Sequence, residues 1–135
     1  MKILLTGGAG YIGSHVVLAL QDQGHSVTII DDLSTGHEEL IPKNINFIQC
    51  NINDEPKVSK IVQSSNFDAL MHFAGFIQVE ESVNNPDKYI NNNTDNAIKL
   101  FKTCHSHNLK NIIFSSTAAI YGNPLENKPI KETEK

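Results

Sequence analysis

Thr6-Gly7-Gly8-Ala9-Gly10-Tyr11-Ile12-Gly13 is the stretch on which the reading of this chain turns. It follows an apolar run at residues 2–6 and precedes apolar positions at helical spacing, Ile12, Val16, Ala19 and Leu20. The segment satisfies Gly-x-Gly-x-x-Gly through Gly8, Gly10 and Gly13, and Gly-x-x-Gly-x-x-Gly through Gly7, Gly10 and Gly13. In a strand–turn–helix unit one glycine permits the tight turn and another lets the backbone approach a pyrophosphate. Gly13 then lets the helix pack close to the strand. The helix N-terminus offers unpaired N–H groups and partial positive charge to the phosphates. Alone, such a motif is weak, because an ordinary glycine turn has the same composition. Asp31 strengthens it by ending the second apolar run, about 20 residues further on. A carboxylate there can accept hydrogen bonds from the adenosine ribose hydroxyls and would repel a 2′-phosphate. All eleven basic residues are Lys, so no guanidinium can grip such a phosphate, and NAD is favoured over NADP.

Outward from this stretch, short β-branched runs alternate with amphipathic ones. Residues 2–6, 26–31, 45–50, 68–73 and 111–115 read as strands, and residues 32–44, with Ser34-Thr35-Gly36 and Pro42, as a loop. Gly24 stops the first helix. Asn53 or Asp54 can cap a second one, with Pro56 in its first turn and Val58, Ile61 and Val62 on one face. Pro86 opens a third, whose stripe is Ile90, Ala97, Phe101 and Cys104. Right-handed crossovers then give an α/β fold, a doubly wound parallel sheet of five strands in the order 3-2-1-4-5. Residues 1–121 make up that domain. Residues 122–135, with Pro124, Pro129 and six charged residues, read as a tail or loop. The Asn91-Asn92-Asn93 run is explained equally well by compositional drift and by function.

Composition excludes several classes. A length of 135 residues leaves room for one domain, and 39% hydrophobic with 19% charged residues suffices for a packed core. The net charge of −4 and the scattered Lys argue against nucleic acid as a partner. The apolar run after Met1 is too short for a signal peptide, and no stretch is long enough to span a membrane. Cys50 and Cys104 fit no metal or redox spacing, so no metal site is expected. Two lone thiols without a secretion signal suggest the cytoplasm.

Ligands of doubly wound sheets lie at the carboxyl ends of the strands. That rule singles out His72-Phe73-Ala74-Gly75 after strand four and Ser115-Ser116-Thr117-Ala118-Ala119 after strand five. Small residues there let a flat cofactor pass close to the backbone, and a hydroxyl can bond a substrate oxygen. Ser and Thr after a strand are also common turn and cap residues. By default His72 is a satisfied histidine at the core's edge, and Glu80-Glu81 a solvated face.

Taken together, these segments resemble the extended short-chain dehydrogenase/reductase family, the NAD-dependent epimerases and dehydratases, and most closely its UDP-glucose 4-epimerases. The resemblance rests on the glycine stretch with Ser14-His15, on Asp31-Asp32-Leu33-Ser34, His72-Phe73-Ala74-Gly75, Glu81-Ser82-Val83 and Asn92, and on residues 114–122. Where related dehydratases carry an Asp-Glu pair, Ala118-Ala119 stands here, which disfavours dehydration. The resemblance implies bound NAD that reversibly takes hydride from C4 of a UDP-hexose. It implies cofactor contacts from Gly7, Gly10, Tyr11, Ile12, Gly13, Asp31, Asp32, Leu33, Ser34, Asn51, Ile52, Phe73, Ala74, Gly75, Asn92 and Ser115. Thr117 matches the residue that hydrogen-bonds the reacting hydroxyl. Two positions depart from the pattern. Asn51 stands for the usual Asp near adenine, and Ile77 for a frequent Lys near the nicotinamide ribose.

The family's general base is a Tyr four residues before a Lys, whose charge lowers the phenol pKa. Here Tyr11 is followed at that distance by His15, Tyr89 by Asn93 and Tyr121 by Leu125. At family length the motif would fall shortly after Lys135. The chain therefore reads as an N-terminal cofactor-binding part, inactive alone, with the family's homodimer interface incomplete and its fifth strand bare. The alternatives are a non-catalytic NAD-binding module and an epimerase of another UDP-sugar.

Overall fold

The computed structural model describes residues 1–122 and 128–131. Five parallel strands form one sheet in the order β3-β2-β1-β4-β5: β1 Lys2–Thr6, β2 Ser26–Asp31, β3 Asn46–Gln49, β4 Ala69–His72 and β5 Ile112–Phe114. This is the expected topology, with the sheet built outward from β1 in both directions. Helix α1 (Tyr11–Asp22) covers one face, and α2 (Glu55–Ser64) and α5 (Asn96–Ser106) cover the other. Strand alternation sorts the core between the two faces. Leu4, Ile30 and Leu70 pack with Val58, Ile61, Val62, Leu100 and Cys104. Leu5, Val27 and Ile29 pack with Val17, and Met71 and Phe73 join that side.

Helix α2 follows its sequence signals. Asp54 caps it by accepting from Lys57 N at 3.2 Å, and Val58, Ile61 and Val62 are buried. Gly24 ends α1 at φ +74°, a conformation that favours glycine.

Several expectations need correction. In α1 the buried residues are Gly13, Ser14 and Val17, whereas Ile12 is 60% exposed and Ala19 is exposed too. At the start of this helix Tyr11 and Ile12 lie exposed beside the carboxyl edge of the sheet, while Gly13 and Ser14 pack inward. Strands β3, β4 and β5 are shorter than read. Loop 32–44 holds a short 3-10 turn, Glu38–Leu40. The helix opened by Pro86 is three pieces: α4 (Pro86–Tyr89), a π-helical segment Ile90–Asp95, and α5. A π segment adds a residue to the turn and shifts the stripe. Ile90 is thereby exposed, while Leu100, absent from the predicted stripe, is buried with Ala97 and Cys104. A further helix, α3 (Val79–Asn84), precedes them. In the tail, residues 123–127 and 132–135 lie outside the described residues, and with them Pro124, Glu126, Glu132, Glu134 and Lys135. No described helix is long and apolar enough to cross a membrane.

Candidate functional site

The parallel ladders continue one bond past the strands, and this brings the candidate segments to one edge. Gly7 N donates to Ile30 O at 3.0 Å, Phe73 N to Thr6 O at 2.9 Å, Cys50 N to Asp31 O at 2.9 Å and Ser115 N to His72 O at 3.2 Å. Gly7, Asp31, Asn51, Phe73 and Ser115 therefore begin neighbouring loops along the carboxyl edge, as the sequence reading places them.

Two glycines make the turn possible. Gly7 sits at φ +77°, and a Cβ there would stand 2.5 Å from Ala74 N. At Gly13 a Cβ would stand 2.0 Å from Gly7 O, so no side chain can enter without moving backbone. Gly10 differs: a Cβ there would meet only Gly7 O, at 3.3 Å. Packing demands little at Gly10, so the open space beside it suits a ligand lying on the backbone. Gly10 also gives α1 no side-chain cap, and the first turn holds no acid. Its first-turn amides and the positive end of its dipole point out at this edge. Tyr11, 78% exposed, and Ile12 rim it. This donor set fits a pyrophosphate.

Asp31 ties the cradle to its neighbour. Its Oδ2 accepts from Ala9 N at 3.0 Å and its Oδ1 from Leu33 N at 2.9 Å. His37 N closes the wrap by donating to Ala9 O at 2.9 Å. A carboxylate has roughly four lone-pair sites, so two remain for hydroxyl donors. Leu33 holds the left-handed φ of 60°, a strained value for a non-glycine residue at a candidate site. Asp32 accepts from Ser34 N at 2.9 Å and from the Asn51 amide. Asn51 Oδ1 accepts from Asn53 N at 2.9 Å. Ile52 is buried within the core cluster, so its side chain points away from this edge.

On the other side of β1, His72 is 1% exposed, and its Nδ1 shares a 2.6 Å hydrogen bond with Thr6 Oγ1. Phe114 stacks on the ring and Phe101 meets it edge-on. Burial lowers its pKa to about 4. His72 is thus the satisfied histidine the sequence suggested. Glu81 lies on a solvated face, as read, its side chain 43% exposed; there it pairs with Lys88 at 2.5 Å and accepts from Tyr89 Oη at 2.9 Å.

Asn93 is the residue that sequence reasoning missed. Its Nδ2 donates to Phe76 O at 2.8 Å, and its Oδ1 accepts from Phe76 N and from Asn92 Nδ2, both at 2.9 Å. Gly75 lies directly before that clamp. The available signal was a polar residue in a half-buried helical position, hidden within an Asn run.

After β5, Ser116 has φ 59°, and Thr117 Oγ1 accepts from Ala119 N at 3.2 Å, capping the 3-10 turn Ala118–Tyr121. Thr117 is therefore a cap residue whose exposed hydroxyl can still donate. Ile77 is 86% exposed. Cys50 and Cys104 are free and buried, and burial raises both thiols, Cys104 to about 11. Among the described residues no group of His, Cys, Asp and Glu could hold a metal ion.

Known proteins share this arrangement. A profile of the NAD dependent epimerase/dehydratase family matches residues 3–135. A UDP-glucose 4-epimerase of Azospirillum brasilense is 45% identical over 131 residues, 97% of this chain and 37% of that enzyme. A probable UDP-arabinose 4-epimerase 3 of Oryza sativa subsp. japonica is 43% identical over 140 residues, 97% of this chain and 34% of that protein. Among solved structures, the UDP-glucose 4-epimerase of Thermus thermophilus in complex with NAD superposes with a TM-score of 0.88 at 33% identity. That match covers 98% of this chain and 43% of that one, so the chain spans well under half the length of these relatives. The glycine cradle, the five-stranded sheet and a profile match across nearly the whole sequence lead to one conclusion: the chain belongs to the NAD dependent epimerase/dehydratase family.

Proposed function

We propose that this chain is the NAD-binding part of a UDP-sugar 4-epimerase that interconverts UDP-glucose and UDP-galactose. The observation that carries the proposal is the cradle itself, an uncapped helix N-terminus at Gly10 held against Asp31 through Ala9 N. The α1 amides would hold the pyrophosphate, and the remaining lone pairs of Asp31 would accept the adenosine ribose hydroxyls. Asp32, Leu33 and Ser34 shape that end, Asn51 lies by the adenine, and Phe73, Ala74 and Gly75 offer backbone to the flat rings. When bound, NAD supplies a reversible hydride acceptor for C4 of the sugar. Thr117 would orient the reacting hydroxyl. Removing its proton needs a base that residues 1–135 do not offer, since none of the three Tyr has a Lys four residues on. Identity to the Azospirillum enzyme supports the glucose–galactose assignment, and the rice relative keeps UDP-arabinose as a second substrate reading. Two free, buried thiols support a reducing compartment.

Two measurements test the proposal. Calorimetric titration should show NAD binding the chain in preference to NADP. A coupled assay with UDP-galactose should show no turnover by the chain alone, and turnover once it is joined to the remaining part of the Azospirillum enzyme. No NAD binding would overturn the cofactor assignment, and an inactive but folded fusion would overturn the reaction.

A further inference from the structure

The loop after β4 is held by side chains. Asn93 pairs with both backbone groups of Phe76 as a neighbouring strand would, through bonds of 2.8 and 2.9 Å. Two residues on, Gln78 N donates to Tyr89 Oη at 3.1 Å, and that hydroxyl donates to Glu81 Oε2 at 2.9 Å. Lys88 completes the group, 2.5 Å from Glu81 Oε1 and 4.7 Å from the centre of the Phe76 ring. The Phe76 and Tyr89 rings lie 5.7 Å apart. All these side chains except Phe76 come from α3, α4 and the π segment. The loop they hold begins with Phe73-Ala74-Gly75, on which Gly7 rests.

At about 100° per residue, a regular helix continued from α4 would place Tyr89, Asn93, Ala97, Leu100 and Cys104 within one face about 80° wide. Along this face, which is π-helical from Ile90 to Asp95, Tyr89 and Asn93 meet the loop, while Ala97, Leu100 and Cys104 are buried in the core. A π insertion inside a helix is rare and recurs at functional sites.

We infer that Asn93 and Tyr89 are positioning residues for the cofactor site: they fix the backbone of Phe76 and Gln78 so that the Phe73–Gly75 backbone forms a rigid wall opposite the glycine cradle. The inference rests on the proposed NAD site. Preorganising a loop raises affinity because less ordering remains to be done on binding.

The test uses the whole chain in three forms: parent, Asn93→Ala and Tyr89→Phe. Tyr89→Phe keeps the ring and removes only the hydroxyl, so it guards against a simple folding failure. Amide exchange at Phe76 and Gln78, followed by NMR without cofactor, reads the clamp, and NAD titration reads its consequence. The expected result is protection of both amides in the parent and loss at Phe76 in Asn93→Ala and at Gln78 in Tyr89→Phe. The Kd for NAD should rise about ten-fold in each variant with unfolding midpoints near the parent's. Unprotected amides in the parent, or variants that bind NAD as tightly as it does, would overturn the inference. A parent that binds no NAD refutes the cofactor reading and this inference with it, so the two failures show in different proteins.

Discussion

Replacing Asp31 with Asn tests whether its carboxylate works by charge or by geometry. Both oxygens are engaged, one by Ala9 N and one by Leu33 N. An amide of the same shape has one acceptor oxygen, so one backbone N–H would face an NH2 group. A hydrogen bond to a charged acceptor contributes about 1.5–3 kcal/mol, and Ala9 is fully buried, so water cannot replace it there. The expected loss is about 2 kcal/mol of unfolding free energy, a factor of about thirty in the equilibrium constant. Urea unfolding reads this directly. NAD affinity should fall with it, because the cradle and the ribose acceptor share the side chain. Asp31→Glu separates the two explanations. It keeps the charge but needs room for a methylene, and the site is crowded: even a Cβ on Gly36 would stand 3.0 Å from Asp31 Oδ1. Geometry therefore predicts that Glu fails much as Asn does. Parent-like stability and NAD binding in Asp31→Glu would refute the reasoning.

Stability should fall on acidification through His72. Its folded pKa of about 4 lies below the ordinary 6.5, so the unfolded chain takes up the proton first. The contribution is intact above about pH 6.5, down by about 1.4 kcal/mol near pH 5.5, and lost progressively toward pH 4. Urea midpoints across that range check it, and a pH dependence unchanged in His72→Asn would contradict it. Gly13→Ala should destabilise by at least about 1–3 kcal/mol, since the new Cβ would overlap Gly7 O; a parent-like thermal melt would refute the close packing. The β5 edge exposes Ile113 and Phe114 at 53% and 56%. Sedimentation should show concentration-dependent association that Ile113→Lys reduces, because a charge blunts an open edge; association unchanged in that variant would place the contact elsewhere.

Much of this was legible in the sequence because the physics is local. Asp54, Pro56 and the Val58, Ile61, Val62 face specify α2 within a dozen residues, and the β-branched runs specify the strands. Asp31 could be singled out because a strand end and a glycine turn fix where it must stand. Its bonds to Ala9 and Leu33 could not, as they depend on how the loop folds back. The first turn of α1 was misread for an informative reason. Ile12 looks like core by spacing, yet it lies at the candidate site, where local rules are expected to yield to function. Asn93 was illegible because its partner, Phe76, is distant in sequence, and only the folded loop brings that backbone to its side chain.

The main-chain construction of the cradle has a consequence for how the chain tolerates change. Most of its donors are peptide groups, which no substitution except one to proline can delete, and they lie in a segment with no cationic side chain to lose. Truncating a neighbouring side chain leaves those donors in place. Adding a single carbon at Gly7 or Gly13 does not, because the space it would need is already occupied by other backbone. The glycine turn is robust to subtraction and fragile to addition, so sequence drift within it is limited chiefly by bulk, whereas at Asp31 beside it charge sets the limit.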